Sequence, residues 1–395
     1  MKSASGVSRS HLRFILILGA LTAFAPLAID MYLPAFPAIA QHFGTSAGAV
    51  QGTLAIYFIG MALGQSVLGP LSDRFGRLPP LLLGIAAFSL ASVWAAHAAN
   101  IESLVAARFV QALGGCAGIV IARAMVRDLF EERESAQVYS LLMLVMGVAP
   151  ILAPVIGGLV LTNFGWPVIF WLLGGFGAVC FVAVWWGLGE TLPVSRRSSG
   201  GFFPVLRAYL ALARDRQFVA FTLANAFISA AMFAYITGSP FVFIDFHKLS
   251  PEHYAFIFGA NALGLIAASQ INAFLLRRIS GRRILAVSIT AHLVAALCLV
   301  GATIYAPDAL LPLLAALFVV VGSVGFVGSN AVAAAMSRAQ DFIGAAAALN
   351  GVVQFAAAAC AGAIVGMLND GTPLPMALVI AGLSIAGTLA RLFAR

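Results

Sequence analysis

The stretch FILILGALTAFAPLAIDMYLPAFPAIA, residues 14–40, is an apolar run with one charged side chain, that of Asp30. About 20 such residues cross the hydrocarbon core of a bilayer as an α-helix. The apolar region of a secretory signal peptide has only about 7–15 residues. We therefore predict that residues 13–40 form a retained membrane span, although Ala38-Ile39-Ala40 is similar to a signal-peptide cleavage site.

Apolar runs of this kind recur along the whole chain. The 395 residues are 62% hydrophobic and 9% charged, with a mean hydropathy of +1.02, whereas soluble domains carry roughly 25% charged residues. Helices are expected because backbone exposed to lipid must satisfy its own hydrogen bonds. The sequence predicts an all-α integral membrane protein with twelve spans, at residues 13–40, 49–71, 78–99, 101–124, 137–162, 165–188, 218–245, 251–276, 283–305, 309–334, 342–368 and 374–393.

The basic residues are distributed very unevenly between the two sides of these spans. Of the 22 Lys and Arg residues, Arg108 lies inside a span, Lys248 follows the seventh span, and the other twenty lie at the termini or in loops that follow even-numbered spans. The positive-inside rule places that side in the cytoplasm. We expect a multi-pass membrane protein with both termini cytoplasmic. The net charge of +8 then reflects topology, and no nucleic-acid partner is expected.

One polar segment divides the twelve spans into two sets of six. It reads ETLPVSRRSSGGFFPVLRAYLALARDR and separates spans six and seven. We predict a first bundle at residues 1–188, a cytoplasmic linker at 189–217 with a short surface helix near 204–214, and a second bundle at 218–395. The loops after spans two and eight both contain Gly-Arg, at positions 76–77 and 281–282, which indicates an internal repeat.

Several motifs carry a family resemblance. GPLSDRFGRLPPL, Gly69 to Leu81, resembles the loop signature of major facilitator transporters, and RFVQALGG, Arg108 to Gly115, is similar to their fourth-helix signature. GVAPILAPVIGG, Gly147 to Gly158, looks like the fifth-helix signature of antiporters. AIDMYLPAFPAIA and MVRDLF resemble the bicyclomycin- and chloramphenicol-resistance branch of drug:proton antiporters.

This resemblance implies a fold and a function. The fold is the major facilitator fold, in which twelve transmembrane helices form two pseudo-symmetric six-helix bundles. The function is export of small amphiphilic antibiotics, driven by inward proton flow, with no cofactor besides the coupling protons. Nothing in the sequence demands an oligomer, so a monomer is expected. The resemblance also implies a bacterial inner-membrane location, with the lipid bilayer and a small-molecule drug as partners. The alternative is a proton-coupled transporter of a small metabolite, either an amino acid or sugar exporter or a nutrient importer.

The loop after span two carries a first conformational motif. Its glycines allow close approach and a tight turn, and Asp73 can accept hydrogen bonds from a neighbouring helix start or pair with a base such as Arg127. Arg74 and Arg77 are expected to stay at the cytoplasmic surface. Together these groups are predicted to form a latch that breaks in one conformation; alternatively, the bases only set topology. The motif residues are Gly69, Asp73, Arg74, Gly76, Arg77, Arg127 and Asp128.

Span five carries a second conformational motif. Pro150 and Pro154 remove backbone donors and are expected to bend the helix. Gly157 and Gly158 permit close packing against a partner helix, and plain packing of small residues is the alternative.

Asp30 and Arg108 are the charged residues placed deepest in the predicted spans. A charge at a helix centre costs about 2.5–3.5 kcal/mol even on permissive insertion scales, so both are functional candidates. At the helical rise, Asp30 lies about 25 Å and Arg108 about 20 Å from the inner boundary. We predict a direct or water-bridged contact between them and a proton-coupling role. A static ion pair that only holds helices together is the alternative.

Other polar, aromatic or flexible residues inside the spans are candidates for substrate contact, with ordinary packing as the alternative. They are Tyr32, Tyr57, Gln111, Met146, Asn225, Tyr235, Asn261, Asn350 and Gln354. His292 and the four cysteines are expected to be packing residues. No nucleotide-binding loop, metal-binding cluster or nucleophile motif is found in the sequence, so no enzyme activity and no metal site are predicted.

Overall fold

The computed structural model describes residues 9–197 and 202–394. Within these residues, twelve helices are long and apolar enough to cross a membrane and no strand is present, which confirms the predicted all-α membrane architecture. We number them spans 1 to 12. They are Arg13–Phe43, Ala47–Phe75, Leu78–Ala96, Ile101–Leu129, Leu141–Phe164, Trp166–Gly187, Arg216–Phe246, Pro251–Leu275, Gly281–Tyr305, Leu310–Met336, Ile343–Leu368 and Leu374–Leu392.

Three spans differ from simple helices. Span 1 is broken into helices Arg9–Thr22, Phe24–Asp30 and Phe36–Phe43, with a 3-10 turn at Leu33–Ala35 before the last. Span 5 is the C-terminal part of a longer helix, Glu132–Phe164. Span 7 is the helix Arg216–Pro240 followed by a π-helical turn, Phe241–Phe246. Outside the spans lie the linker helix Phe202–Arg214 and 3-10 turns at Val194–Arg196 and Gln340–Phe342.

Sequence explains where these elements begin and end. Pro34 and Pro37 lie in the first turns of their short helices, where the missing N–H leaves no hydrogen bond unmade. Span 2 continues to Phe75, past its predicted end, and stops at Gly76, whose φ of 93° is a value that glycine adopts readily. The linker helix, Phe202–Arg214, covers the surface helix predicted near 204–214.

Helix packing repeats with an offset of six spans. In the first half, span 3 packs on spans 4 and 6, and span 2 packs on span 4; in the second half, span 9 packs on spans 10 and 12, and span 8 packs on span 10. Two main contacts join the halves: span 2 packs on span 11, and span 5 packs on span 8. The second contact is the equivalent of the first, because spans 2 and 8 correspond, as do spans 5 and 11. The domain boundaries at 1–188, 189–217 and 218–395 stay predictions.

Side-chain hydrogen bonds between the two halves are found at one end of the bundle. We call the end that carries the linker the linker face and the opposite end the distal face. Among the described residues, three side-chain hydrogen bonds cross between the halves, and all lie near the distal face. Gln51 donates to the Thr237 carbonyl (3.3 Å), Thr162 donates to Glu252 (2.8 Å), and Asn369 donates to Gln51 (3.5 Å). These contacts close the distal face.

Candidate functional site

A cavity of about 220 Å³ lies between the two halves. Spans 1, 4 and 5 line one side, and spans 7, 8, 10 and 11 line the other. Only three of its seventeen lining residues carry polar side chains. The lining residues are Ala25, Pro26, Ile29, Asp30, Ile119, Met146, Pro150, Met232, Phe233, Tyr235, Ile236, Phe258, Asn261, Ala262, Leu265, Val321 and Phe355.

Asp30 is the acidic residue of this cavity. It is the last residue of the helix Phe24–Asp30, only 4% exposed. No ion pair of the described residues includes it. The other polar groups come from the opposite half, where Asn261 donates a hydrogen bond of 2.9 Å to the Tyr235 hydroxyl. The Tyr235 ring stacks on Phe258 with centroids 5.8 Å apart, so its position is fixed by packing as well.

Arg108 is fully buried in span 4 and lies among aromatic rings. Its guanidinium carbon is 4.7 Å from the Tyr32 ring centroid and 4.3 Å from that of Tyr57. Nη1 donates to Gln111 at 2.5 Å, and Gln111 in turn donates to the Ser92 hydroxyl at 2.7 Å. Nε and Nη2 have no hydrogen-bond partner among the residues that the structure describes. Cation–π contacts of about 2 kcal/mol when desolvated offset part of the cost of burying the charge.

The direct contact predicted between Asp30 and Arg108 is not found among the ion pairs of the described residues. Asp30 lines the cavity, whereas Arg108 is held by Gln111 and the two tyrosine rings. The Tyr57 ring contacts the Arg108 guanidinium, and its buried hydroxyl has no hydrogen-bond partner among the described residues.

The predicted substrate contacts fall into three groups. Met146, Tyr235 and Asn261 line the cavity with Asp30. Tyr32, Tyr57 and Gln111 surround Arg108. Asn225, Asn350 and Gln354 do not line the cavity and have no contact with Arg108 in the described structure.

Sequence reasoning missed the aromatic part of the cavity wall. Phe233, Phe258 and Phe355 all line it, and Phe233 packs against Phe58 from the first half with ring centroids 4.7 Å apart. Among 30 phenylalanines, no sequence feature distinguishes these from lipid-facing ones.

The loop motif forms a compact charged cluster at the linker face. Arg77 donates to Asp128 at 2.8 Å through Nε, and its Nη1 donates to Asp73 at 2.5 Å and to Ser72 at 2.9 Å. Its side chain is 4% exposed, so the expectation that Arg77 stays at the surface is wrong; Arg74 is exposed. Asp73 pairs with Arg77 rather than with the suggested Arg127. Every partner lies in the first half, so the cluster braces that half internally in this state.

Glu190, at the start of the linker, completes this cluster and was not predicted. Its carboxylate accepts hydrogen bonds from the backbone N–H groups of Arg77 (2.9 Å) and Leu78 (3.2 Å) at the start of span 3, and from that of Leu192 (2.9 Å). A negative charge is stabilised at a helix N-terminus. Burial raises the pKa of Glu190, but these three backbone hydrogen bonds and the nearby Arg197 outweigh it, so the pKa is lowered.

The span-5 motif lies beside the cavity and the distal face. Pro150 lines the cavity. Gly157 meets the backbone carbonyl of Met31 so closely that an added methyl group would collide with it, whereas Gly158 lies against Pro251 of the second half. The two glycines thus bring span 5 close to span 1 and to span 8, respectively.

Residues 18–367 match the sequence profile described as Major Facilitator Superfamily. The chain belongs to this superfamily. It is 35% identical over 397 residues to "Uncharacterized MFS-type transporter YdgK" of Bacillus subtilis, covering 99% of this chain and 96% of that protein. It is 30% identical over 385 residues to "Bicyclomycin resistance protein homolog" of Haemophilus influenzae, covering 98% and 96%.

Solved structures agree with the fold of this superfamily. The D-xylose-proton symporter superposes with a TM-score of 0.74 at 14% identity, covering 96% of this chain and 97% of that one. A bacterial homologue of the lysosomal transporter Spinster gives 0.72 at 14% identity, covering 98% and 97%. The chain is therefore a multi-pass membrane transporter of the major facilitator fold and not an enzyme, as the sequence predicted.

Proposed function

We propose that this major facilitator protein exports small amphiphilic drugs in exchange for protons, with Asp30 as the group for which the two compete. The observation that carries this proposal is the position of Asp30, which lines the cavity between the halves and has no ion-pair partner among the described residues. The name of the Haemophilus influenzae relative supports drugs as the cargo.

Physical cost explains why such a carboxylate would exchange a proton. An unpaired charge in an apolar surrounding is unfavourable, and protonation or a bound partner removes that cost. In the proposed cycle, Asp30 takes up a proton when the distal face opens and releases it when the linker face, on the cytoplasmic side, opens. Arg108 does not pair with Asp30 in this state, because Gln111 and the rings of Tyr32 and Tyr57 hold its guanidinium. The membrane potential contributes about 2.3 kcal/mol per charge per 100 mV.

The cavity as it stands is smaller than a drug site. Its volume of about 220 Å³ is below the range of about 300–1,000 Å³ that holds drug-sized ligands. We infer that this state is contracted and that the drug enters when the halves separate at the linker face. The distal hydrogen bonds of Gln51 and Thr162 would then keep the opposite end closed.

The composition of the cavity wall favours an amphiphilic cargo over a metabolite. Sugars and amino acids bring many hydrogen-bonding groups, each costly to bury without a partner. Asp30, Tyr235 and Asn261 are the polar side chains of the wall, and the last two already bond to each other.

The test is a paired flux measurement on purified protein in vesicles, using chloramphenicol as the probe. Wild type should show drug movement and proton movement that depend on each other. Asp30→Asn should lose proton-driven drug transport by at least about tenfold, whereas Asp370→Asn, an isosteric change in the exposed loop after span 11, should not. If Asp30→Asn kept full coupling, the proposed role of Asp30 would be wrong; if wild type accumulated a sugar or amino acid instead, the cargo would be wrong.

A further inference from the structure

A long apolar groove runs along the outer surface of the second half. Its volume is about 920 Å³, and spans 9 and 10 form most of its wall. The span 9 residues extend from Ala286 to Ala302, which is about 24 Å at the helical rise. Small side chains such as Ala291 and Ala315 create the depression, and Val287 and Val294 beside them are exposed.

A second groove lies beside the first. It has a volume of about 510 Å³ and is formed by spans 8, 9 and 10, with Gly264 and Gly322 among its small residues. Val287, Ala291 and Val319 line both grooves. Two adjoining apolar grooves that share part of their lining have the form needed to seat the two acyl chains of one phospholipid.

Arginines lie where both grooves reach the linker face. Arg391 lines the first groove and Arg283 lines the second. Arg282 and Arg391 also line a small pocket of about 210 Å³ together. Arg282 and Arg283 are exposed, and no ion pair among the described residues includes either of them.

We propose that these two grooves and three arginines bind an anionic phospholipid such as phosphatidylglycerol. The acyl chains lie in the grooves, and the headgroup phosphate contacts Arg282, Arg283 and Arg391. Basic pockets between transmembrane helices recognise anionic headgroups in this way. A zwitterionic lipid has no net charge to offer the arginines, and a free phosphate cannot fill the apolar grooves, so charge and shape together select this ligand.

Lipid binding is measured by native mass spectrometry of the purified full chain in micelles containing equal amounts of phosphatidylglycerol and phosphatidylcholine. Phosphatidylglycerol should be retained selectively. The double variant Arg282→Gln/Arg391→Gln should weaken its retention on the order of 30-fold, at about 1 kcal/mol per arginine near the membrane surface. The control Arg277→Gln/Arg278→Gln removes two charges from the same face outside both grooves and should change retention by less than about threefold.

A second pair of variants tests the grooves themselves. Ala291→Phe places a ring in both grooves and should reduce retention of phosphatidylglycerol, whereas Leu297→Phe, on an exposed part of span 9 outside them, should not. Only variants that elute as a single monodisperse peak in size-exclusion chromatography are compared. Equal retention of both lipids, equal loss in the Arg277/Arg278 control, or displacement of the lipid by glycerol phosphate alone would each overturn the proposal.

Discussion

Replacing Arg77 by methionine should destabilise the transporter far more than the same change at Arg74, three residues earlier. Arg77 is buried, and it donates to Asp128, Asp73 and Ser72. Burial lowers the pKa of its guanidinium, but hydrogen bonds with Asp128 and Asp73 outweigh that effect and raise it, so the charge is held firmly in the folded state. Methionine keeps the length of the side chain and removes all of these bonds.

The magnitude follows from the exposure of the two carboxylates. Asp128 is only 14% exposed, so losing Arg77 leaves a buried acid unpaired, and breaking such pairs costs about 3–5 kcal/mol. Asp73 is 48% exposed, and an ion pair of that kind contributes about 1 kcal/mol or less. We expect Arg77→Met to lower the free energy of unfolding by about 3–5 kcal/mol. The guanidinium of Arg74 lies 5.4 Å from the Phe75 ring centroid. Arg74→Met should therefore lower the free energy of unfolding by less than about 1 kcal/mol.

Unfolding can be followed through the five tryptophans as purified protein in detergent micelles is titrated with sodium dodecyl sulfate. A double-mutant cycle with Asp128→Asn isolates the pair, and its coupling energy should be about 1–3 kcal/mol. Equal destabilisation by Arg77→Met and Arg74→Met, or a coupling energy near zero, would refute the view that this motif is a buried brace of the first half.

Two further predictions concern other contacts of the bundle. Gly48→Ala should reduce transport in vesicles at least several-fold, because the new methyl group collides with the Gly366 carbonyl of span 11. Gly52→Ala, one turn along span 2 in open space, should leave transport unchanged. Equal activity of the two variants would contradict a close contact between spans 2 and 11 at the distal face. Because the folded pKa of Glu190 is lowered, its stabilising effect is full above its unfolded pKa of about 4.3 and is lost as pH falls through the folded value. Glu190→Gln should therefore have a lower unfolding temperature than wild type at pH 7. Between pH 7 and pH 4 the unfolding temperature of wild type should fall further than that of the variant. If the two proteins lost the same amount, the Glu190 carboxylate would not stabilise the fold in this way.

Most of the fold was accessible from sequence because a bilayer imposes one requirement on every span. Each must be an apolar helix of sufficient length, so hydropathy alone predicts twelve of them. Span ends were less predictable, because a helix can continue into the headgroup region with its charges solvated. Span 2 does so through Asp73 and Arg74, and only the positive φ of Gly76 ends it.

The site was predictable only where a residue type is costly in a membrane. Asp30 and Arg108 stand out for that reason, whereas Phe233 and Phe355 look like any lipid-facing residue although they form the cavity wall. Pairing across long separations was not accessible either. Arg77 contacts Asp128, 51 residues away, and Glu190, 113 residues away, and nothing in the spacing of these residues specifies such contacts.

The separation of Asp30 from Arg108 changes what proton coupling requires. A direct buried ion pair would have to be broken at each proton uptake, at a cost of about 3–5 kcal/mol. Here Arg108 is held instead by Gln111 and by the faces of Tyr32 and Tyr57, so in the proposed mechanism the charge of Asp30 is left to depend on what fills the cavity. A proton, water, or a hydrogen-bonding group of the drug can each satisfy that carboxylate, and a bound proton removes the negative charge to which a donor group of the drug would otherwise bind. Competition for a single unpaired acid is therefore sufficient to make drug release and proton uptake mutually dependent, without any ion pair between the two charges.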